Sequence, residues 1–271
     1  MKFRLIIPQY KDFEGGWCEN SKNIESRIEV LKDSMNNNIN MVITSHNYFI
    51  FFPSCLVDIR KFVENEIINR LHNRISSKER RKPIIVGFDL FNDHIKFNPY
   101  DRGIDAVVCF IKKTNNSNYV YGTHIWECWE GKKYCSQTCF LAQNNARVFK
   151  VCNYKIGLLS CGDIARYCHD DGKLLPEVDI YIDLSHYSLR GDSSQYKIPK
   201  KIINEWKKAD MVIVTQQVKS VKKYVNQQKY PYIFHNNRFS VNVNINKYKV
   251  SDEEGVYVDI EFHCIQGASE S

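Results

Sequence analysis

Cys161 is the residue of this chain with the clearest potential for chemistry. It follows the apolar run 154–160, a pattern that predicts a short buried strand. A thiol at the carboxyl end of such a strand, where the chain turns into a helix, lies where α/β proteins place their reactive groups. Backbone N–H groups at that turn would favour the thiolate and could bind a developing oxyanion. The pattern favours a nucleophilic cysteine; the alternative is a buried core cysteine, because the chain contains ten cysteines.

The elements that would position this thiol follow from the periodicity of the apolar residues. Predicted strands and helices alternate early in the chain, whereas predicted hairpins dominate the middle and the end. This mixture indicates one layered α/β domain over residues 1–271 with a mixed sheet. Predicted helices cover residues 24–31, 59–71, 163–169 and 202–208, and predicted strands cover residues 2–8, 40–44, 84–87, 104–112, 119–126, 147–151, 155–160, 178–183, 211–215, 232–234, 239–243 and 255–260.

The composition is that of a globular protein that can bury a sizeable core. Of the 271 residues, 43% are apolar, and the formal net charge of 38 − 31 = +7 is mild for this length. We therefore expect no nucleic-acid partner. No apolar run approaches the ~20 residues that span a bilayer, and the first nine residues are too few and too charged for a signal peptide. We therefore expect no membrane partner.

The cysteines and glycines exclude other classes of site. Most cysteines lie within apolar stretches. This pattern indicates reduced thiols and a cytoplasmic location rather than a disulfide framework. The group His124, Cys128, Cys135 and Cys139 contains no Cys-x-x-Cys pair, so we expect no metal site. The chain has neither a P-loop nor a three-glycine dinucleotide motif, and we expect no cofactor.

The order of these segments resembles the carbon–nitrogen hydrolase superfamily, which is also called the nitrilase superfamily. Residues 2–9 look like its first strand, and residues 40–44 look like the strand that precedes its catalytic glutamate. Residues 155–163 are similar to its nucleophile segment, which typically reads glycine, two apolar residues and then the cysteine. Further segments that resemble helices and strands of the superfamily are residues 23–29, 177–182, 209–215 and 253–260.

The resemblance implies both a fold and a reaction. The implied fold is a four-layer α-β-β-α sandwich with two mixed sheets, usually paired into homodimers through its helices. The implied reaction begins when the Cys161 thiolate attacks the carbon of a small-molecule amide, N-carbamoyl compound or nitrile. In the superfamily a glutamate acts as general base, a lysine stabilises the oxyanion, and water hydrolyses the thioester. Dividing one difficult displacement into two steps lowers the barrier.

The position of the superfamily's glutamate is best matched here by His46. No acidic residue lies between Asp33 and Asp58, so a shift in register cannot supply a carboxylate. Because a histidine can act as a base near neutral pH, His46 could replace the glutamate. The alternative is a loop histidine beside a site that has lost its base.

The lysine is also altered. One alignment places Thr123 at the lysine position, which predicts that the cation is lost. A shorter alignment offers Lys132 or Lys133 instead, and Lys133 remains the candidate. The simpler interpretation of Lys133 is a solvated loop cation.

Further residues are candidates for binding substrate. Gln137 takes the place of a second, substrate-positioning glutamate, and Glu127 and Glu130 are close enough in sequence to compensate for that change. Asp163 matches an acid of the superfamily that we expect to cap the following helix or hold the turn. Arg166 could bind a substrate carboxylate with two hydrogen bonds, or it could lie on the surface.

Two functional interpretations follow from this mixture of retained and altered residues. A thiolate without its base loses roughly 10²–10⁴ in rate, and loss of the oxyanion cation would cost about as much again. One interpretation is a divergent thiol hydrolase that uses Cys161 with His46 and Lys133. The other is a catalytically inactive protein that keeps the fold and acts as a binding or scaffold module.

Overall fold

The computed structural model describes the elements that surround these candidates. The described residues are 1–9, 24–35, 38–45, 48–51, 69–74, 82–90, 104–115, 118–127, 148–160, 172–173, 175–184, 194–215, 232–251 and 253–265. The helices are α1 (Ile24–Ser34), α2 (Asn69–His72) and α3 (Ser194–Asn204). The strands are β1 (Lys2–Pro8), β2 (Met41–Thr44), β3 (Phe49–Phe51), β4 (Ile84–Leu90), β5 (Ile104–Asn115), β6 (Asn118–Glu127), β7 (Val148–Val151), β8 (Tyr154–Ser160), β9 (Ile180–Leu184), β10 (Met211–Thr215), β11 (Tyr232–His235), β12 (Phe239–Val250) and β13 (Glu253–Cys264).

The strands form two mixed sheets. The first sheet has eight strands in the order β12-β13-β1-β2-β4-β5-β6, and β3 pairs with β4 beside this path. The second sheet has five strands in the order β11-β10-β9-β8-β7, with β8, β9 and β10 parallel. Parallel strands are covered on both faces and therefore read as continuous apolar runs. Every residue of β2 and β10 is buried, in agreement with that rule.

The main core lies between the two sheets. Alternate residues of β1, namely Phe3, Leu5 and Ile7, are fully buried in one cluster with Ile156 and Leu158 of β8. Side chains on successive residues of a strand point to opposite faces, so these residues define the inner face of each sheet. The two sheets therefore pack face to face as a sandwich.

The helices cover the outer faces of both sheets. Ile28 and Leu31 of α1 are buried in a cluster with Ile6 and Val42, which lie on the outer face of the first sheet. A third cluster joins α3 to the outer face of the second sheet through Ile198, Ile202, Tyr181 and Val212. The order of layers is thus α-β-β-α, which confirms the predicted four-layer sandwich.

Helix α3 lies earlier in the chain than predicted. The apolar pattern predicts a helix over residues 202–208, whereas α3 spans Ser194–Asn204 and contains Pro199. Lys207 has a φ of 51°, a left-handed conformation that ends helices, and the Trp206 and Lys208 N–H groups donate to the Lys201 and Ile202 carbonyls at 2.8 and 2.9 Å. The apolar spacing continues through this closing turn, which is why the pattern extends the predicted helix too far.

Candidate functional site

Strands β2 and β6 end on the same side of the first sheet. β2 runs parallel to β4, β5 runs antiparallel to β4, and β6 runs antiparallel to β5. Two reversals restore the original direction, so β6 runs parallel to β2. The carboxyl ends of the two strands, at Thr44 and Glu127, therefore point to one end of the sandwich.

Strand β8 of the second sheet runs in this direction as well. The Tyr154 ring at the start of β8 packs on Phe262, with ring centroids 5.4 Å apart. Phe262 packs in turn on Phe3 at the start of β1, with centroids 4.9 Å apart. β1 and β2 are parallel. Because β1, β2 and β8 begin at one end of the sandwich, their carboxyl ends point to the other end.

The segments that carry the predicted site residues all follow these three carboxyl ends in the sequence. Residue 46 follows β2 after Ser45, residues 130–137 follow β6, and residues 161–166 follow β8 directly. The predicted residues themselves lie outside the described part of the chain, and their roles stay predictions: Cys161, Lys133, His46, Gln137, Glu130, Arg166 and Asp163.

Thr123, the alternative to the lysine, lies within β6. It is paired with Phe110 of β5 and precedes the last residue of its strand by four positions. Position 123 therefore lies inside the strand and not at its carboxyl end, where the lysine is expected.

The chain is fixed where it leaves β2. The Thr44 hydroxyl accepts a hydrogen bond of 2.9 Å from the Gly87 N–H and donates to the Ser45 carbonyl at 3.0 Å. The Ser45 N–H donates to the Ile6 carbonyl at 3.2 Å. Both Thr44 and Ser45 are fully buried. Because buried polar groups are costly to leave unpaired, these bonds hold the strand end in one position.

A second anchor lies directly after residue 47. Tyr48 is fully buried, and its hydroxyl donates to the Arg27 carbonyl at 2.8 Å. In return, the Arg27 guanidinium donates to the Tyr48 carbonyl and lies 5.6 Å from the centre of the Tyr48 ring. Arg27 also pairs with Glu253 of β13 at 3.4 Å. The segment between β2 and β3 is thereby held on both of its sides.

Burial keeps the Tyr48 hydroxyl protonated. Desolvation raises its pKa well above its usual value, and the Tyr248 hydroxyl adds to this shift, whereas Arg27 opposes it. A neutral hydroxyl donates the hydrogen bond that the Arg27 carbonyl accepts. Tyr48 is therefore a positioning group rather than an acid or a base at neutral pH.

A second charged cluster lies under α1, at the start of β1. Arg4 forms two hydrogen bonds of 2.6 and 2.9 Å with the Asp259 carboxylate and one of 3.2 Å with the Ser34 carbonyl. Lys2 approaches the same carboxylate at 3.3 Å. Burial opposes ionisation of Asp259, but the hydrogen bonds and charges of Arg4 and Lys2 hold its pKa below the usual value. This cluster fixes α1 on the sheet and lies at the amino end of β1, away from the candidate site.

The packing of the second sheet explains why a glycine, Gly157, occurs in the predicted nucleophile segment. A Cβ atom on Gly157 would lie 2.3 Å from a ring carbon of Tyr181 in the neighbouring strand β9. The Tyr181 hydroxyl donates to the Pro176 carbonyl, which fixes the ring. Gly157 is therefore required for the close approach of Tyr181, and its presence in the motif does not by itself indicate catalysis.

Asp183 is a buried carboxylate at the candidate end of the second sheet, and the sequence motifs considered above do not include it. It is 5% exposed, lies one residue before the end of β9, and is paired with Leu159 of β8 and Val214 of β10. The signal in the sequence is an aspartate within the otherwise apolar strand Ile180–Leu184. A buried acid at the ends of parallel strands is a further candidate for the site.

The described residues offer neither a metal centre nor a membrane span. Within that part of the chain, no three His, Cys, Asp or Glu side chains are grouped so that they could hold a metal ion. None of its helices combines the length and the apolar character that crossing a membrane requires.

Comparison with known proteins gives matches only among solved structures. No family model matches the chain. No curated protein matches it either. A Saccharomyces cerevisiae member of branch 10 of the nitrilase superfamily is 11% identical over 95% of this chain and 89% of its own, with a TM-score of 0.44. A Helicobacter pylori carbon–nitrogen hydrolase is 15% identical over 96% and 88%, with a TM-score of 0.40. A Nesterenkonia amidase is 11% identical over 80% and 76%, with a TM-score of 0.40.

Solved members of the nitrilase superfamily are thus among the structures that this chain is similar to, as the sequence analysis predicts. At these identities and TM-scores the likeness says nothing of substrate or site residues. The layer order given above follows from the packing of this chain alone.

Proposed function

We propose that this protein is a carbon–nitrogen hydrolase-like protein that uses the Cys161 thiol to hydrolyse a non-peptide C–N bond. The substrate would be a small-molecule amide, N-carbamoyl compound or nitrile. One observation supports this proposal above the others. Strands β2, β6 and β8, which precede the predicted base, cation and nucleophile in the sequence, point their carboxyl ends to the same end of the sandwich.

For an amide, the proposed reaction has two stages. His46 accepts the thiol proton of Cys161, and the sulfur attacks the carbonyl carbon. The negative charge on the oxygen is stabilised by Lys133. When the C–N bond breaks, the proton on His46 passes to the leaving nitrogen, and a thioester remains. His46 then removes a proton from water, and the water oxygen forms a bond to the thioester carbon. The C–S bond breaks, the proton on His46 passes to the sulfur, and the carboxylic acid and the free Cys161 thiol are released.

The remaining candidates have supporting roles in this proposal. Gln137, Glu130 and Arg166 would contact polar groups of the substrate, and Asp163 would hold the turn after the nucleophile. The reaction needs no cofactor or metal. The proposal also includes a homodimer in the cytoplasm, with neither nucleic acid nor membrane as a partner.

The second candidate function is a catalytically inactive binding or scaffold module. It is favoured by the absence of an acidic residue between Asp33 and Asp58, where the superfamily has its glutamate. If neither His46 nor Lys133 acts, the two losses together remove roughly 10⁴–10⁸ in rate, which would leave no measurable turnover.

A hydrolysis assay separates the two functions. The protein is incubated with amides, N-carbamoyl amino acids and nitriles, and release of ammonia or of acid is measured. Hydrolysis that disappears in Cys161→Ala and persists in Cys152→Ala supports the enzyme; Cys152 is a suitable control because it is an exposed free thiol. Hydrolysis of equal rate in both variants, or no hydrolysis of any substrate, contradicts the proposed enzyme and leaves the binding module.

A further inference from the structure

Two exposed cysteines lie at the end of the sandwich that is opposite the candidate site. Cys152 lies in the turn between β7 and β8, and Cys264 is the last residue of β13. β1 and β8 begin at this end, and β13 runs antiparallel to β1 and therefore ends there. Both thiols are free and exposed. One cysteine thus belongs to the second sheet and the other belongs to the first.

The Cys264 side chain lies on the face of the first sheet that is turned to the second sheet. Cys264 is paired directly with Phe239 of β12 in the antiparallel register. Residues that are directly opposite in such a pair place their side chains on the same face. Phe239 is buried in the core between the two sheets. Cys264 therefore faces the gap between the sheets, at the end where that core stops.

Tyr154 connects the two cysteines across this gap. It follows Cys152 by two residues, and its ring packs on Phe239 and Phe262 with ring centroids 5.8 and 5.4 Å apart. Burial raises the pKa of the Tyr154 hydroxyl, and the charges of the Cys264 and Cys152 sulfurs raise it further, whereas a hydrogen bond from the Cys264 backbone lowers it. Both thiols thus lie around one tyrosine side chain.

The backbone of Cys152 is unusual for a cysteine. Val151 pairs with Tyr154, so Cys152 and Asn153 alone form the turn. Cys152 has a φ of 54°, in the left-handed region that glycine adopts readily and most other residues rarely do. Strained residues of this kind concentrate at functional positions in proteins. The Cys152 thiol is therefore a better candidate for a function than an exposed cysteine in a relaxed strand.

We propose that Cys152 and Cys264 form a reversible disulfide that joins the two sheets when the surroundings become oxidising. Facing sheets lie about 10 Å apart, and a disulfide joins Cα atoms about 5.5–6 Å apart, so the exposed turn at Cys152 moves toward β13 when the bond forms. Exposed or strained disulfides are the ones that reducing agents reverse most easily. In a reducing compartment the pair remains two thiols. The switch goes beyond the proposed hydrolase and does not depend on it.

The oxidant in this proposal is a small-molecule disulfide such as glutathione disulfide. The thiolate of one cysteine attacks a sulfur of this disulfide, the S–S bond breaks, and the first glutathione leaves. The thiolate of the other cysteine then attacks the protein sulfur of the mixed disulfide and releases the second glutathione. The two protein thiols lose two electrons and two protons in total. Glutathione disulfide takes up both and becomes two glutathione thiols.

Oxidation of the whole chain with glutathione disulfide tests the pair. The reduced protein is equilibrated with mixtures of glutathione and its disulfide, the remaining thiols are blocked, and proteolytic peptides are identified by mass spectrometry without reduction. We expect two peptides joined through Cys152 and Cys264, whose amount rises with the fraction of glutathione disulfide and which dithiothreitol separates. In Cys152→Ser and in Cys264→Ser the remaining cysteine should instead carry one glutathione.

Ser251 provides a matched control for the position of the thiol. It is exposed, lies in the two-residue turn between β12 and β13, and has a φ of 52°. The length of β13, about 36 Å, separates this turn from Cys264. The variant Cys152→Ser/Ser251→Cys therefore presents a thiol in the same backbone conformation but far from Cys264, and it should carry glutathione without a cross-link. Equal cross-linking of this variant would show that exposure rather than position determines the bond.

Thermal unfolding measures whether the bond joins the two sheets. The cysteines are 264 − 152 = 112 positions apart, and a disulfide that closes a long loop restricts the unfolded chain most. We expect the unfolding temperature of the oxidised wild type to rise by about 5 °C or more, with no such rise in Cys264→Ser after the same treatment. Glutathione on both cysteines without a cross-link, a cross-link between two chains, or a cross-linked protein that unfolds at the same temperature would each overturn the proposed switch.

Discussion

Arg27 and Tyr48 hold each other through reciprocal hydrogen bonds between side chain and backbone. The guanidinium donates to the Tyr48 carbonyl, and the Tyr48 hydroxyl donates to the Arg27 carbonyl. The same guanidinium pairs with Glu253, whose side chain is 6% exposed. Arg27 thus connects α1, the segment after β2 and the start of β13. Arg27 also fixes Tyr48, which lies two residues after the general base of the proposed hydrolase in the sequence.

Replacing Arg27 by methionine is expected to destabilise the fold strongly. The variant leaves the buried Glu253 carboxylate and the Tyr48 carbonyl without the guanidinium that pairs with them. Removing one member of a buried ion pair costs about 3–5 kcal/mol. Urea unfolding of the variant and the wild type measures this difference.

The matched control is Lys32→Met, which removes an exposed pair with Glu29 on the same helix. An exposed helical pair contributes about 0.3–0.5 kcal/mol. The double variant Arg27→Met/Glu253→Gln should recover part of the loss, because no uncompensated charge remains. Equal effects of Arg27→Met and Lys32→Met would show that the buried pair contributes no more than a surface pair.

Asp259 is expected to make stability depend on pH in the acid range. Arg4 and Lys2 hold the pKa of this carboxyl below its usual value near 3.8, despite its burial. A carboxyl whose pKa is lower in the folded state contributes stability that is complete above the unfolded pKa and is lost as pH falls through the folded pKa. The free energy of unfolding should therefore fall as the pH decreases below about 4.

Asp259→Asn tests the origin of that decrease. At pH 7 the variant should be less stable by about 3–5 kcal/mol, since the buried Arg4 loses its ion pair. Between pH 5 and pH 2 its stability should fall less steeply than that of the wild type, as followed by urea unfolding at each pH. Identical slopes in the two proteins would assign the acid sensitivity to other carboxyl groups.

The elements that the sequence predicts well are those with simple periodicity and full burial. α1 and β10 match because their apolar residues repeat at the spacing of a helix and of a buried strand. β12 extends to Val250 and β13 to Cys264, beyond the predicted ends. Exposed asparagines and lysines in β12, and the exposed Glu261 and His263 in β13, interrupt the apolar pattern there. Such half-exposed positions are held by pairing with the neighbouring strand, which a single-sequence pattern does not record.

The groups around the candidate site were predictable only in part. The strand that leads to Cys161 and the one that leads to His46 follow from local patterns. The Arg27–Glu253 pair could not be predicted, because the two residues are 226 positions apart in the sequence. They come together only because β13 pairs with β1 in the folded sheet. Asp183 was visible as an acid in an apolar strand, but its burial depends on β8 and β10, which pair with β9 on either side.

Gly157→Ala is expected to destabilise the second sheet. The added methyl group would lie 2.3 Å from the Tyr181 ring, which is held by its hydrogen bond to Pro176. Inserting a methyl group into a packed core costs about 1–3 kcal/mol. The double variant Gly157→Ala/Tyr181→Leu, in which the ring is absent, should lose less stability than the sum of the two single variants. Thermal and urea unfolding of the four proteins measure this coupling, and simple additivity would show that the ring does not restrict position 157.

His46→Gln tests the proposed base in the protein that passes the hydrolysis assay. A neutral histidine accepts protons, so the wild-type rate should rise with pH as the His46 imidazole loses its proton. The variant should lose this rise, and its kcat should fall by a factor of about 10²–10⁴. Its KM should change little, since a base acts on the transition state rather than on binding.

His263→Gln, at an exposed position of β13, is the control and should keep the wild-type pH profile. A His46→Gln protein with the wild-type pH profile would exclude His46 as the base and direct the search to Asp183, the buried carboxylate at the end of β9.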